Sequence, residues 1–209
     1  KTTDKRTTAI VHPAFNLGGT ELKGFWMAKF EASGTNKDGN AVGNASASSG
    51  AQQYAPDNTT IAKSLPNKIS WRHITIGESE KRSMDIATTA KTSFGLTSAT
   101  SHLIKNSEWG AVAYLTHSKY GKNGNEIAQN TSYYTGGGYN GRYTSYTSQS
   151  STGNVYGIYD LSGCAYEYVA AFISKDSYGK FSTYDWTRYT GLKETSASTK
   201  YATRYDNNY

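Results

Sequence analysis

The chain has 209 residues, a net charge of +6, 36% hydrophobic residues and 13% aromatics, with a mean hydropathy of −0.68. That length suits one domain with a sizeable core, and the aromatics, each burying a large area, offset the low apolar content and argue against a disordered chain. No run of about eighteen apolar residues occurs, which argues against a membrane span or a signal peptide in the sequence as given.

The start at Lys1 predicts a processed or trimmed N-terminus. Cys164 is the lone cysteine, so no internal disulfide can form. Lysines and arginines are scattered without a dense cluster. Their sum permits attraction to an acidic surface, but no nucleic-acid motif accompanies them and nucleic acid is not an expected partner.

In chain order, the apolar run Ala9 to Phe15 is confined by Pro13 to an edge strand or strand end. Residues 21–32 read as a strand covered on both faces, with Phe25, Met27 and Lys29 on one side and Trp26, Ala28 and Phe30 on the other. Residues 34–66 are rich in Asn, Gly, Ser and Ala and read as loop with a weak hairpin, Asn36 to Asn40 being a turn signal.

Thr75 and Glu78 form a capping-box pair that opens a first helix running to about Gly95. Asn106 is the natural cap of a second, with Trp109, Val112, Ala113, Leu115 and Thr116 at helical spacing and Gly121 as its end. A long Gly, Tyr, Asn, Ser and Thr stretch follows over residues 121–153, and loops of that length are usually functional or disordered. Residues 157–173 read as a buried central strand after a tight turn at Ser162-Gly163. The segments sum to one α+β domain over residues 1–209.

Residues 154–169 read Asn-Val-Tyr-Gly-Ile-Tyr-Asp-Leu-Ser-Gly-Cys-Ala-Tyr-Glu-Tyr-Val. They resemble the N-x-x-G-L-Y-D-M-x-G-N-V-W-E-W run of the formylglycine-generating-enzyme and sulfatase-modifying-factor family. Three upstream stretches are similar in the family's order: Gly24 to Glu31 to its early F-x-[IM]-x-K-[YF]-E strand, Ile69-Ser70-Trp71 to V-S-W, and His102 to Trp109 to R-L-P-T-E-A-E-W. The resemblance covers roughly residues 20–175 and implies a C-type lectin-like fold with two helices on short twisted antiparallel sheets. A fold hosts many functions, so activity is a separate matter.

The family's oxidases use a pair of copper-binding cysteines, and one cysteine cannot supply both soft ligands. Cys164 stands at the Asn of the family's G-N-V-W-E-W, and in an apolar aromatic stretch it reads as a small buried hydrophobe. Related iron enzymes bind their metal through histidines of a further domain, whereas His12, His73, His102 and His117 show no ligand spacing. Neither copper nor iron is expected, and no catalytic residue is assigned.

A structural calcium is what the resemblance implies, held by the Asp160 side chain, the Gly163 and Ala165 carbonyls and the Glu167 carboxylate, an all-oxygen set of the kind calcium prefers. The alternative is that Asp160 caps the turn and Glu167 is half-buried with a Lys or Tyr partner.

Fifteen of the eighteen tyrosines follow Asn130, mixed with Ser, Gly and Asn, the residue set of antibody-like binding surfaces. Candidate ligand-binding residues are Tyr133, Tyr134, Tyr139, Tyr143, Tyr184, Trp186 and Tyr189; the alternative is that such tyrosines cover core. Domains with this motif also resemble variable proteins of diversity-generating retroelements and phage tail-fibre tips. The expected role is a non-catalytic adhesin or receptor-binding module, extracellular on a cell or virion surface, recognising protein or glycan. A pilus-like or virion subunit packing against its own copies is the alternative reading, and an oxidase the third.

Overall fold

The computed structural model describes residues 11–35, 41–42, 61–72, 74–93, 95–138, 142–173 and 200–205. Two helices and small sheets joined by long irregular stretches make an α+β arrangement. Within the first apolar run, Pro13–Phe15 is a 3-10 turn rather than strand, because proline pre-sets the turn dihedral and His12 Nδ1 accepts from the Ala14 amide at 3.2 Å; Ala9 and Ile10 lie outside the described residues. A hairpin of β1, Asn16–Leu17, and β2, Thr20–Glu21, follows.

The expected strand over residues 21–32 is present only at its ends, as β2 and as β3, Ala32–Thr35. Between them the backbone bonds singly to separate partners. The Phe30 amide donates to Ser64 Oγ at 3.0 Å, and the Lys29 carbonyl accepts from the Tyr159 amide at 2.8 Å. Nor are both faces covered: Phe25, Met27 and Lys29 on one side are half-buried, whereas on the other Trp26 and Ala28 are exposed and only Phe30 is buried.

Strand β3 is the centre of a three-stranded antiparallel sheet with β4, Ala41–Val42, and β5, Ile61–Ser64. Gly34 pairs with Val42 and Thr35 with Ala41, so a hairpin flanks the turn signal at residues 36–40, which lie outside the described residues.

Helix α1 spans Ile76–Ser93, and Thr75 Oγ1 accepts from the Glu78 amide at 3.2 Å, the cap read from the sequence. Helix α2 spans Asn106–His117. Its cap is Lys105 rather than Asn106, one residue earlier than expected, and its end precedes Gly121. The Glu108 carboxylate reaches back to the Lys105 amide at 2.9 Å and meets His102 Nε2 at 3.0 Å and Lys105 Nζ at 3.6 Å. Glu108, Ala111 and Thr116 form its buried face.

Burial alone would raise the Glu108 pKa, but His102 and the Lys105 amide and ammonium together hold it below its ordinary 4.5. Its stabilisation is therefore present above pH 4.5 and is lost as pH falls through the folded value. Glu108→Gln is expected to flatten the acid limb of the stability curve below pH 4.5, read by urea titration at several pH values.

Residues 157–173 do not form the expected central strand. Only Ala171–Ile173 is extended, as β6, paired in parallel with β7, Thr203–Tyr205. Upstream of it Asp160, Gly163 and Cys164 take positive φ angles of 65°, 88° and 67°, which no strand tolerates. What packs beside this segment is an aromatic cluster of Phe30, Tyr143 and Tyr159, with ring centroids 5.5 to 6.1 Å apart.

Candidate functional site

Asp160 is the centre of the structure's polar interior, with 1% of its surface exposed. Its Oδ1 accepts from Asn130 Nδ2 at 2.9 Å and its Oδ2 from the Gly136 amide at 2.8 Å. Longer contacts come from the Gly137 amide at 3.4 Å and the Glu31 amide at 3.4 Å. The glycine run read as loop is thus a backbone nest wrapped around a buried carboxylate.

Glycine is required there for two reasons. Gly136 and Gly137 have φ of +73° and +83°, and a Cβ on Gly137 would lie 2.4 Å from Gln149 Oε1. Asn130 ties the nest together: its side chain also donates to the Tyr134 carbonyl at 2.9 Å, and its backbone exchanges bonds with Ser162 and Cys164 at 2.8 and 2.7 Å.

That exchange explains Gly163, where a Cβ would fall 2.2 Å from the Asn130 carbonyl. Gly163→Ala is expected to lose about 2 kcal/mol or more through left-handed strain and the clash, measured by chemical denaturation; a loss below 0.5 kcal/mol would contradict this packing.

Beside Asp160 lies Glu31, whose carboxylate accepts from Ser70 Oγ and from the Ala165 amide at 3.2 Å. Burial pushes its pKa up to about 7, against those two hydrogen bonds and with help from the negative charges of Glu167 and Asp160. Glu167 accepts from Trp109 Nε1 at 2.8 Å. The residue as a whole is exposed, yet its carboxyl is crowded by protein, and that burial raises its pKa despite the indole hydrogen bond.

Burial also raises the Cys164 thiol, further than the Glu31 and Asp160 charges do, so the thiolate that nucleophilic or redox chemistry requires is suppressed.

No protein-family model, curated protein or solved structure matches this chain.

The calcium implied by resemblance does not fit Asp160 in this arrangement. Both carboxylate oxygens are aimed at by N–H donors, and a cation there would meet those hydrogens rather than free lone pairs. At Ala165 it is the amide that points into the cluster, toward Glu31. Among the described residues no group of three or more His, Cys, Asp or Glu is placed to hold a metal. Of the histidines, His102 pairs with Glu108, His117 lies 3.9 Å from Glu126, and His12 caps the first turn; His73 lies outside the described residues.

The candidate tyrosines divide. Tyr133 and Tyr134 are half-buried neighbours with centroids 4.7 Å apart, and Arg72 lies 5.3 Å over the Tyr133 ring. Tyr143 is part of the scaffold, packed on Phe30 and Tyr159 and accepting the Tyr159 hydroxyl at its carbonyl. Tyr139, Tyr184, Trp186 and Tyr189 lie outside the described residues.

Sequence reading did not single out Arg142 and Tyr146, where the guanidinium sits 5.1 Å over an exposed ring. Their i and i+4 spacing in a tyrosine-rich stretch is the only signal that could have found them. Glu31, Ser70 and Trp109 were in view inside the resembling stretches, and no role followed from them.

Proposed function

We propose that this chain is a C-type lectin-like scaffold of the sulfatase-modifying-factor type that has lost oxidase chemistry and serves as an exposed binding or display module. The observation that carries this reading is where the four resembling stretches meet. Glu31 from the first, Ser70 from the second, and Asp160 and Ala165 from the fourth join in one hydrogen-bonded cluster, while Trp109 from the third bonds Glu167 of the fourth, whose negative charge acts on Glu31. Residues in separate stretches that converge on shared contacts are what a common scaffold requires.

Every carboxylate in that cluster is engaged by an N–H or O–H donor, so the cluster builds the frame and leaves recognition to the surface. The Tyr133-Tyr134 and Arg142-Tyr146 pairs stand on the loop that the Asp160 nest fixes, a rigid support for contacts of low entropy cost. The setting that suits such a module is extracellular, on a bacterial or phage surface, with protein or glycan as ligand. No helix among the described residues is long and apolar enough to cross a membrane.

Binding of the purified chain to intact bacterial cells, abolished by Tyr133→Ala but not by Tyr120→Ala, is the expected result; copper-dependent thiol oxidation would overturn the non-catalytic reading. Added calcium and added chelator are both expected to leave the melting temperature unchanged, since a specific ion would raise it with concentration.

A second reading, a subunit that packs against its own copies, is favoured by Trp26 and Tyr166, both fully exposed. Sedimentation showing concentration-dependent assembly that Trp26→Ala removes would support it.

A further inference from the structure

Resting on that recognition reading, we infer that the face formed by Arg142, Tyr146, Ser132, Tyr133 and Arg72 takes an anionic glycan. The face is continuous. A Cβ on Gly138 would lie 3.5 Å from Arg142 Cδ and 3.7 Å from Ser132 Cβ, and one on Gly137 would lie 3.6 Å from Tyr146 Cβ. The 68–72 segment is joined to it by the Ser70 amide, which donates to the Tyr133 carbonyl at 3.0 Å, and by the Lys68 carbonyl, which accepts from Thr135 at 2.8 Å.

Its charge is positive. Arg142 and Lys68 are exposed, Arg72 is stacked on Tyr133, and none of the ion pairs among the described residues involves Arg142. The Asp160 carboxylate is sealed behind Gly136 and Gly137 and surrounded by N–H groups. A guanidinium with one face held by a tyrosine keeps its fork edge for a planar bidentate anion, and the net charge of +6 adds a favourable field.

Sugar rather than peptide fits because the backbone here is already paired. Ile69 bridges Tyr134 in antiparallel register, and the Ser70 and Thr135 amides are spent on that pairing, so the inner edge of this segment is already taken and an extended peptide finds no partner there. What remains at the surface is ring faces, hydroxyls and the Arg142 fork, the complement of a sugar carrying carboxylate or sulfate.

The test uses the full chain with four probes at low salt: polygalacturonate, heparin, neutral dextran and poly-L-glutamate. Expected is salt-sensitive binding of polygalacturonate or heparin, weakened about tenfold or more by Arg142→Ala and less by Arg142→Lys. Whichever of the two binds tighter names the anion. The Arg142 side chain is exposed, and its carbonyl is what accepts from Ser145 and Tyr146, so the variant keeps the fold, checked by an unchanged denaturation midpoint.

Equal binding of poly-L-glutamate, or anionic glycan binding indifferent to Arg142→Ala, would overturn the inference. Dextran binding that Tyr133→Ala abolishes and Arg142→Ala leaves intact would overturn it too, while preserving the wider recognition reading.

Discussion

Asp160→Ala is expected to destabilise the protein by on the order of 4 kcal/mol, the scale of removing one member of a buried charged network. The variant would leave the amides of Gly136 and Gly137 facing an empty space without an acceptor, and Asn130 Nδ2 with one of its two acceptors, the Tyr134 carbonyl. Against a total stability of about 5–15 kcal/mol, much of the folded population would be lost on warming. Asp160→Asn keeps the shape and tolerates the left-handed backbone of this position. It turns an amide toward existing N–H donors, so about half the loss is expected. Urea titration of the two variants reads both values, and a loss under 1 kcal/mol for alanine would show that the carboxylate is not the hub.

The second large effect is a pH dependence set by Glu31. Its folded pKa of about 7 stands above the ordinary 4.5. The folded state therefore binds the proton more tightly, and the resulting stability is fully present below pH 4.5 and lost as pH rises through about 7. The difference corresponds to roughly 3 kcal/mol. Glu31→Gln keeps an oxygen for the Ala165 amide and removes this titration, so its loss of stability from pH 5 to 8 should be much smaller than the wild type's, with only the raised Glu167 and Glu80 carboxyls contributing, and its stability should exceed the wild type at pH 8. A wild-type curve flat over the same interval would contradict the burial of this carboxyl. Combined with the acid-side loss from Glu108, the account places greatest stability in mildly acidic solution.

Helix α1 was legible because its signal is local: a Thr75 hydroxyl three residues before an amide that needs an acceptor. Helix α2 was legible to within one residue at its start. Strands were not. The apolar spacing over residues 157–173 suggests an extended segment, but Asp160 and Cys164 adopt left-handed backbone to place a carboxylate in the nest and an amide on Asn130. Such long-range demands leave no periodic trace.

For the same reason the Gly136 to Gly138 run read only as part of a long loop, functional or disordered. Its partner is Asp160, more than twenty residues further along the chain, and only the folded backbone brings them together. Glu167 was read with two alternatives open, and the Trp109 indole turns out to be its partner. Tyr143 shows the limit of residue-type reasoning, since a tyrosine in a tyrosine-rich loop can be core.

The central claim is that the glycine-tyrosine stretch is built structure, clamped on Asp160, and that its tyrosines and arginines are thereby held in place for recognition. Amide hydrogen exchange at Gly136 and Gly137 in the full chain tests this most directly. Strong protection at both positions, lost in Asp160→Asn and unaltered by calcium, is the predicted result. Exchange at the rate of an open loop in the wild-type protein would contradict it.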